Sequence, residues 1–477
     1  MSAAPAPRPD TEGPGEAGPE GTRAATTLEV HGGVRVIGGT KVLVSTPRAR
    51  VLLDIGEDIP SGVDLLRDPT RSRPRQALAD ALRLGAAPRI PGLFDPRALE
   101  AVGPGAEQLR VLADPDPRPT LVVLSHAHID HDGLLPHLRE DVRVLAHADT
   151  IALHRALEEA GATAPGTADR LEPLAEGTEV VVGDLSVRIH RVDHDVRGAV
   201  GTLVRAPDGV LAYTGDINLH RDGGTHTRAF LEQAHGADVL VAETTMLSFD
   251  PLPEEPRSED EVARIVAETL AGSTDLMLLS AYERDVDRAA RLIRAATQAG
   301  RTLVWPGVHA AVLAALGIGG VVTWDPTRPQ GRRQRRAGEL AVSRGARTTG
   351  LAEVAAAPGR FLVQIDPRDF ASLLDLPLGE GSAWIHSQGE PLGPFMPDWP
   401  LWQDWLEHLG LATIPAGSSG HAGPAALHEI VGAVAPGRVI ALHGFHPERL
   451  QVEGIPTLLP EIDVSIPLRP GAGRSAR

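Results

Sequence analysis

One stretch, Ser125 to Gly133, limits what this chain can fold into more than any other: it reads S-H-A-H-I-D-H-D-G. It follows Leu121, Val122, Val123 and Leu124, a short apolar run of the kind that makes a buried strand. In extended chain just past a strand, residues two apart point the same way, so His126, His128 and Asp130 are expected to converge on one volume. His131 then reaches in from the next turn. So many ligand-type side chains on one loop suit two adjacent metal ions better than one, because a single tetrahedral ion needs fewer. Imidazoles with a carboxylate favour zinc, or manganese where oxygen ligands dominate. The chain has no cysteine, which excludes disulfides and thiolate sites and leaves His and carboxylate as the ligand set.

H-x-H-x-D-H followed by Gly133 resembles the signature of the metallo-β-lactamase superfamily. The resemblance implies an αββα sandwich whose further ligands follow in a set order. Ahead of the motif, V-R-V-I-G-G-T-K-V-L-V-S-T and R-V-L-L-D-I-G read as strands joined by turns at Gly38-Gly39 and Pro47-Arg48, and resemble the superfamily's opening hairpin. Asp54 and Gly56 end that hairpin near the expected site, either shaping the loop or capping the strand. After the motif, Leu134 to Leu138 is expected to begin a helix. L-S-V-R-I-H-R-V-D-H alternates as a strand and runs to His194, which matches the next ligand, whereas His190 lies inside the strand. G-V-L-A-Y-T-G-D delivers Asp216, matching the bridging aspartate, which in two-metal hydrolases holds ions about 3.5–4 Å apart. G-R-V-I-A-L-H-G ends in His443, which matches the final ligand in preference to His446. The implied set is His126, His128 and His194 on one ion, Asp130, His131 and His443 on the other, and Asp216 between them. The implied cofactors are two divalent ions, zinc or else manganese.

Three further features resemble the β-CASP branch of nucleases. A-D-V-L-V-A-E-T-T ends in Glu243, matching an acidic motif; S-S-G-H-A, with His421, resembles the S-G-H-A of RNase J-type enzymes; and the H-G of His443 follows. The long interval between Thr245 and Leu411 reads as an inserted α/β domain. Its first helix has Ser258 as N-cap and Glu261 completing a capping box; D-L-M-L-L-S-A-Y is a strand, the helix after it is closed by Gly300, and T-L-V-W is another strand. The expected fold class is α/β, a metallo-β-lactamase αββα sandwich with an inserted β-CASP α/β domain. Residues 1–27 are expected as a disordered tail, 28–245 as the first part of the sandwich domain, 246–411 as the β-CASP domain, 412–466 as the returning part, and 467–477 as a flexible tail. Arg284 and Arg288 follow a strand end, where they either touch phosphates or are exposed helix charge. G-R-R-Q-R-R, residues 331–336, is the only dense basic cluster and reads as a solvated loop, with attraction for a nucleic acid backbone as the alternative.

The resemblance implies metal-assisted phosphodiester hydrolysis by a ribonuclease acting on single-stranded RNA, with single-stranded DNA and a homodimer left open. Asp130 and Asp216 would orient the attacking hydroxide and take its proton. His421 would contact the scissile phosphate and assist the leaving oxygen. Glu243 would hold His421 in place, and Ser418, Ser419 and Gly420 would form a small anion nest. The net charge of −17 argues against coating nucleic acid by bulk attraction, but not against a nuclease with bound divalent ions. No run approaches the roughly 18 apolar residues of a membrane span. The N-terminus lacks a basic region followed by an apolar core, so a cytoplasmic protein is expected. RNase J-type proteins commonly carry an extra C-terminal domain, and this chain ends soon after the last strand. Aromatic residues make up only 3%, with no linear motif for stacking bases. The rival expectation is a hydrolase of small esters, lactones or nucleotides, with the added domain as a lid. A non-catalytic relative that binds RNA is the other rival.

Overall fold

The computed structural model describes residues 25–59, 73, 75–100, 103–328 and 330–469, so most of both expected tails lies outside the described residues. The described residues build three seven-stranded sheets and one two-stranded ribbon. The first is ordered Ser465–Pro467, Thr27–Gly32, Lys41–Ser45, Arg50–Leu53, Thr120–Val123, Arg143–Ala146, Leu171–Pro173. The second is ordered Thr457–Leu458, Val439–Leu442, Val239–Glu243, Gly209–Tyr213, Val200–Ala206, Leu185–Arg191, Val180–Val182.

These two sheets face each other. Leu185, Val187 and Ile189 alternate inward along their strand and meet Val44, Val51, Leu121 and Val123 from the other sheet in one apolar core. Helices cover both outer faces. Leu78, Leu82 and Leu135 pack on the first sheet; Phe230, Leu231, Leu427 and Val431 pack on the second. The αββα layering is therefore present.

The third sheet is wholly parallel and ordered Arg347–Thr349, Val322–Trp324, Thr302–Trp305, Phe361–Gln364, Met277–Ala281, Ala383–Ser387, Ala412–Pro415. Every residue of Met277–Ala281 is buried, as a parallel strand covered on both faces requires. The sheet runs past residue 411, because Ala412–Pro415 pairs with Ala383–Ser387. Helix Glu259–Ala271 starts at Ser258 with the expected reciprocal capping box. One apolar cluster joins this unit to the sandwich: Leu153 and Leu157 of helix Ala148–Glu159 pack with Val308 and Ala311.

Two local expectations change. The helix after the metal motif starts earlier, at Ile129–Asp132, and Leu135–His137 is a single 3-10 turn. Backbone N–H groups of His131 and Asp132 both reach the His128 carbonyl, so the chain coils at once instead of staying extended. Residues 331–336 are not a loop: Arg332–Ser343 is a helix packed on helix Gly307–Ala315. No helix among the described residues is long and apolar enough to cross a membrane.

Candidate metal centre and its surroundings

Each expected ligand stands at or just past the end of a strand, where the apolar run that buries the strand gives way to a polar side chain. Strand Thr120–Val123 leads to His126 and His128, and the helical turn Ile129–Asp132 carries Asp130 and His131. Leu185–Arg191 precedes His194, Gly209–Tyr213 precedes Asp216, and Val439–Leu442 precedes His443. The fold gathers them into two groups, His126, His128, His194 and Asp216, and Asp130, His131, Asp216 and His443, with the ligand atoms of each group within 4.8 Å of one another. Asp216 is common to both, its Oδ2 lying 3.5 Å from His126 Nε2 and 3.1 Å from His131 Nε2, its Oδ1 3.5 Å from His443 Nε2.

These residues fit a pair of cations. His126 Nε2, His128 Nε2 and both Asp216 carboxylate oxygens are buried without a hydrogen-bond partner among the described residues. Leaving such groups unsatisfied is costly, and ions placed among them would satisfy all four. Burial pushes the His126 imidazole well below its ordinary pKa and lowers that of His128 to about 4, favouring the neutral form that binds metal. Burial works to raise Asp130 and Asp216, but neighbouring His131 and His443 outweigh it and hold both carboxyls below the usual range.

A surrounding layer aims the rings. His131 Nδ1 donates to Asp54 Oδ2 at 2.7 Å and His194 Nδ1 donates to the Gly420 carbonyl at 2.8 Å, so each ring turns Nε2 inward. His443 Nδ1 lies 2.7 Å from Thr245 Oγ1. Asp54 also accepts from Ser125 N, Ser125 Oγ and Tyr213 Oη, at φ of +59°. It thus shapes the loop rather than merely capping its strand. Gly56 lets the chain press on the loop, since a Cβ there would lie 1.6 Å from the Asp130 carbonyl oxygen.

His421 stands on the other side of the centre, its ring 5.3 Å from that of His194 and 5.5 Å from that of His443. Its Nδ1 lies 3.2 Å from Glu243 Oε1 and 3.8 Å from Asp216 Oδ2. Burial alone would lower its pKa; Glu243 and Asp216 outweigh that and raise it to about 9. Glu243 is fixed in turn by the Thr245 N–H at 2.8 Å.

Other expectations are corrected by the geometry. The serine hydroxyls of the expected anion nest are engaged within the fold. Ser418 Oγ donates to the Arg257 carbonyl, Ser419 Oγ to the Glu390 carbonyl, and the Gly420 carbonyl accepts from His194 and Asn218. A Cβ on Gly420 would lie 2.7 Å from both His194 and Asp195, so glycine is needed there for close packing. The Ser419 hydroxyl thus braces the loop that carries His421, and Gly420 packs against the first metal group. Arg284 and Arg288 are neither exposed nor free. Arg284 donates to the Ala127 carbonyl in the metal loop. Arg288 donates to Glu259 and to the Ser418 carbonyl, while Arg221 binds Asp285 through two 2.9 Å contacts and Glu259 at 3.2 Å. This buried network bolts the third sheet's first helices to the His421 loop.

Asp195 and Asp132 are among the residues at the site that the sequence did not point to. Asp195 Oδ1 lies 3.3 Å from His128 Nε2 and 3.2 Å from His194 Nε2; its position next to a ligand histidine was the available signal. Asp132 meets buried His154 at 3.1 Å, a pairing no local pattern announces.

Residues 93–296 match a family model described as a beta-lactamase superfamily domain. Ribonuclease J of Corynebacterium glutamicum is 25% identical over 194 residues, covering 39% of this chain and 26% of that protein. RNase aCSPSF2 of Saccharolobus solfataricus is 29% identical over 174 residues, 32% of this chain and 34% of that protein. The chain thus spans about a third or less of the length of these curated relatives. A crystal structure of an Enterococcus faecalis protein of unknown function superposes with a TM-score of 0.75 at 26% identity, over 93% of this chain and all of that one.

Proposed function

Because this chain belongs to the metallo-β-lactamase superfamily, in its β-CASP branch, we propose that it is a metal-dependent phosphodiester hydrolase, a ribonuclease cleaving single-stranded RNA. The observation that carries this reading is the His421–Glu243 pair standing across from two ligand groups that share Asp216. Two divalent ions in those groups would supply Lewis-acid activation of water and neutralise phosphate charge. The protein does the rest. Asp130 and Asp216 orient the nucleophile, and Asp130 accepts its proton. His421, protonated through its contact with Glu243, hydrogen-bonds the phosphate and hands a proton to the departing oxygen. Glu243 keeps that ring in register, and the Arg221–Asp285–Glu259–Arg288 network keeps its loop in place. In this reading the segment from residue 246 through the strand Ala412–Pro415 is the added domain that narrows access to a strand, and the cytoplasm is the working compartment.

The test compares metal-loaded wild type and His421→Ala on end-labelled single-stranded RNA, single-stranded DNA and bis-p-nitrophenyl phosphate. RNA cleavage that falls about 10²–10⁴-fold in the variant supports the reading, the range expected for loss of a proton-transfer group. Hydrolysis of the small diester alone, at equal rates in both proteins, overturns it and makes the added domain a lid over a small substrate.

A further inference from the structure

Four arginines stand out because no described acidic side chain forms an ion pair with them, although Glu339 lines the same hollow as three of them. Arg332, Arg333, Arg335 and Arg336 are exposed, and none forms an ion pair with a described residue, in a chain whose net charge is −17. They occupy the first turns of helix Arg332–Ser343, the end where the helix dipole is itself positive. Arg332 faces Arg335 and Arg336 at spacings of three and four residues, and Arg333 faces Arg336, so like charges are stacked on one surface. The helix cannot relieve this by shifting. Gln334 Oε1 accepts from the Val308 N–H at 3.0 Å, and a Cβ on Gly307 would lie 2.1 Å from the Gln334 carbonyl oxygen. The fold thus holds four arginines on a face to which Glu339 contributes a single carboxylate, an excess of positive charge that an anionic partner would relieve.

The location says which anion. Arg332, Arg335 and Arg336 line a surface hollow of about 520 Å³. Arg333 and Gln334 line a cleft of about 520 Å³ that also includes Tyr282 and Gln388. The Tyr282 ring lies 5.3 Å from that of the metal-site residue His128, so this cleft begins beside the metal centre. A third hollow, of about 220 Å³, shares Pro306, Gln334 and Gln364 with the cleft and adds Arg328, whose guanidinium stacks 4.5 Å over Trp324. The rest of the cleft lining is net acidic: Glu283, Asp366, Asp369 and Asp398 stand against Arg368, which pairs with Asp366 at 2.7 Å. Phosphate affinity therefore belongs to the arginine helix and the metal centre rather than to the rest of the cleft wall.

We propose that Arg332, Arg333, Arg335 and Arg336 form a remote anchor for the backbone of the single-stranded RNA whose scissile bond lies at the metal centre. The proposal rests on the ribonuclease reading and adds a length requirement: a strand must cross the cleft to engage both ends. Substrates too short to cross gain nothing from the arginines.

The test uses the metal-loaded full chain, a variant with all four residues changed Arg→Gln, which keeps good helix formers, and a variant with all four changed Arg→Lys, which keeps the charge. Hydrolysis of bis-p-nitrophenyl phosphate and of a trinucleotide should be unchanged in both. For a strand of about 16 nucleotides, a length such charged grooves track, the Gln variant should raise KM about tenfold or more with kcat unchanged. The salt dependence of binding, read by fluorescence anisotropy, should flatten in slope by up to about 3, at about 0.7 per phosphate contact on single strands. The Lys variant should keep most of that slope. Equal affinity of wild type and Gln variant for the long strand overturns the anchor, as does an equal loss on the trinucleotide. Loss of polyglutamate binding without loss of RNA binding would make the face a protein-docking surface and overturn it too. A wild type that binds the long strand through these arginines but cleaves no RNA would leave the anchor standing and sink the ribonuclease reading.

Discussion

Replacing Gly56 by alanine adds one methyl group where the structure has no room for it. The new Cβ would lie 1.6 Å from the Asp130 carbonyl oxygen, 1.9 Å from its carbonyl carbon and 2.4 Å from the His131 nitrogen. Ordinary contact begins at about 3.5 Å, so the metal loop must retreat by about 1.5–2 Å. That movement breaks the bonds from Ile55 N to the His131 carbonyl and from Glu57 N to the Ile129 carbonyl. Overpacking of a rigid site costs about 1–3 kcal/mol, and the two bonds about 1 kcal/mol each. The expected loss is about 3–5 kcal/mol. Because both Asp130 and His131 ride on the displaced segment, metal content should drop and turnover of a small diester should fall about 10²-fold, the penalty for misplacement on this scale. Gly432, in helix Pro424–Val434 with open space around it, is the control: alanine there should stabilise by about 0.5–1 kcal/mol. Denaturant midpoints, metal analysis and diester turnover are the assays. A Gly56→Ala protein with wild-type midpoint, metal content and rate would refute the steric reasoning.

Two further outcomes are expected. Asp195→Asn should weaken metal binding at the His126–His128–His194 group about 10–100-fold while sparing the other, because the Asp195 carboxylate faces two of its imidazoles; equal loss at both groups, or none in a metal titration, would count against it. Glu259→Gln should destabilise by about 3–5 kcal/mol by leaving Arg288 and Arg221 underpaired. Burial works to raise the Glu259 carboxyl, but Arg288 and Arg221 outweigh it and lower its pKa to about 2. Its stabilisation is therefore complete above the unfolded value of about 4.3 and disappears as pH falls towards 2. The variant should lack that part of the acid limb, and an unchanged stability–pH curve between those values would contradict the assignment.

The sequence by itself determined the features set by local rules. An apolar run ending in histidine or aspartate names both a buried strand and a side chain at its tip, and the resemblance to the superfamily's ligand order singled out His194, Asp216 and His443 among such tips. Ser258 and Glu261 likewise announce a helix start, since a capping box closes within one turn. Tertiary structure decided whatever depends on what another segment brings. Arg284, in the turn before helix Val286–Gln298, and Arg288 on it look like solvent-facing charge, yet docking against the sandwich buries them among carbonyls and carboxylates distant in the chain. Asp54 became the support of His131 only because Arg50–Leu53 lies beside Thr120–Val123. The Ser418 and Ser419 hydroxyls and the Gly420 carbonyl brace their loop for the same reason, their partners arriving from Arg257, Glu390 and His194. Residues 331–336 became helical because Gly307 admits a second backbone at close range. Periodicity and caps are written over a few residues, whereas a buried ion pair is stable only once the fold removes water from around both partners.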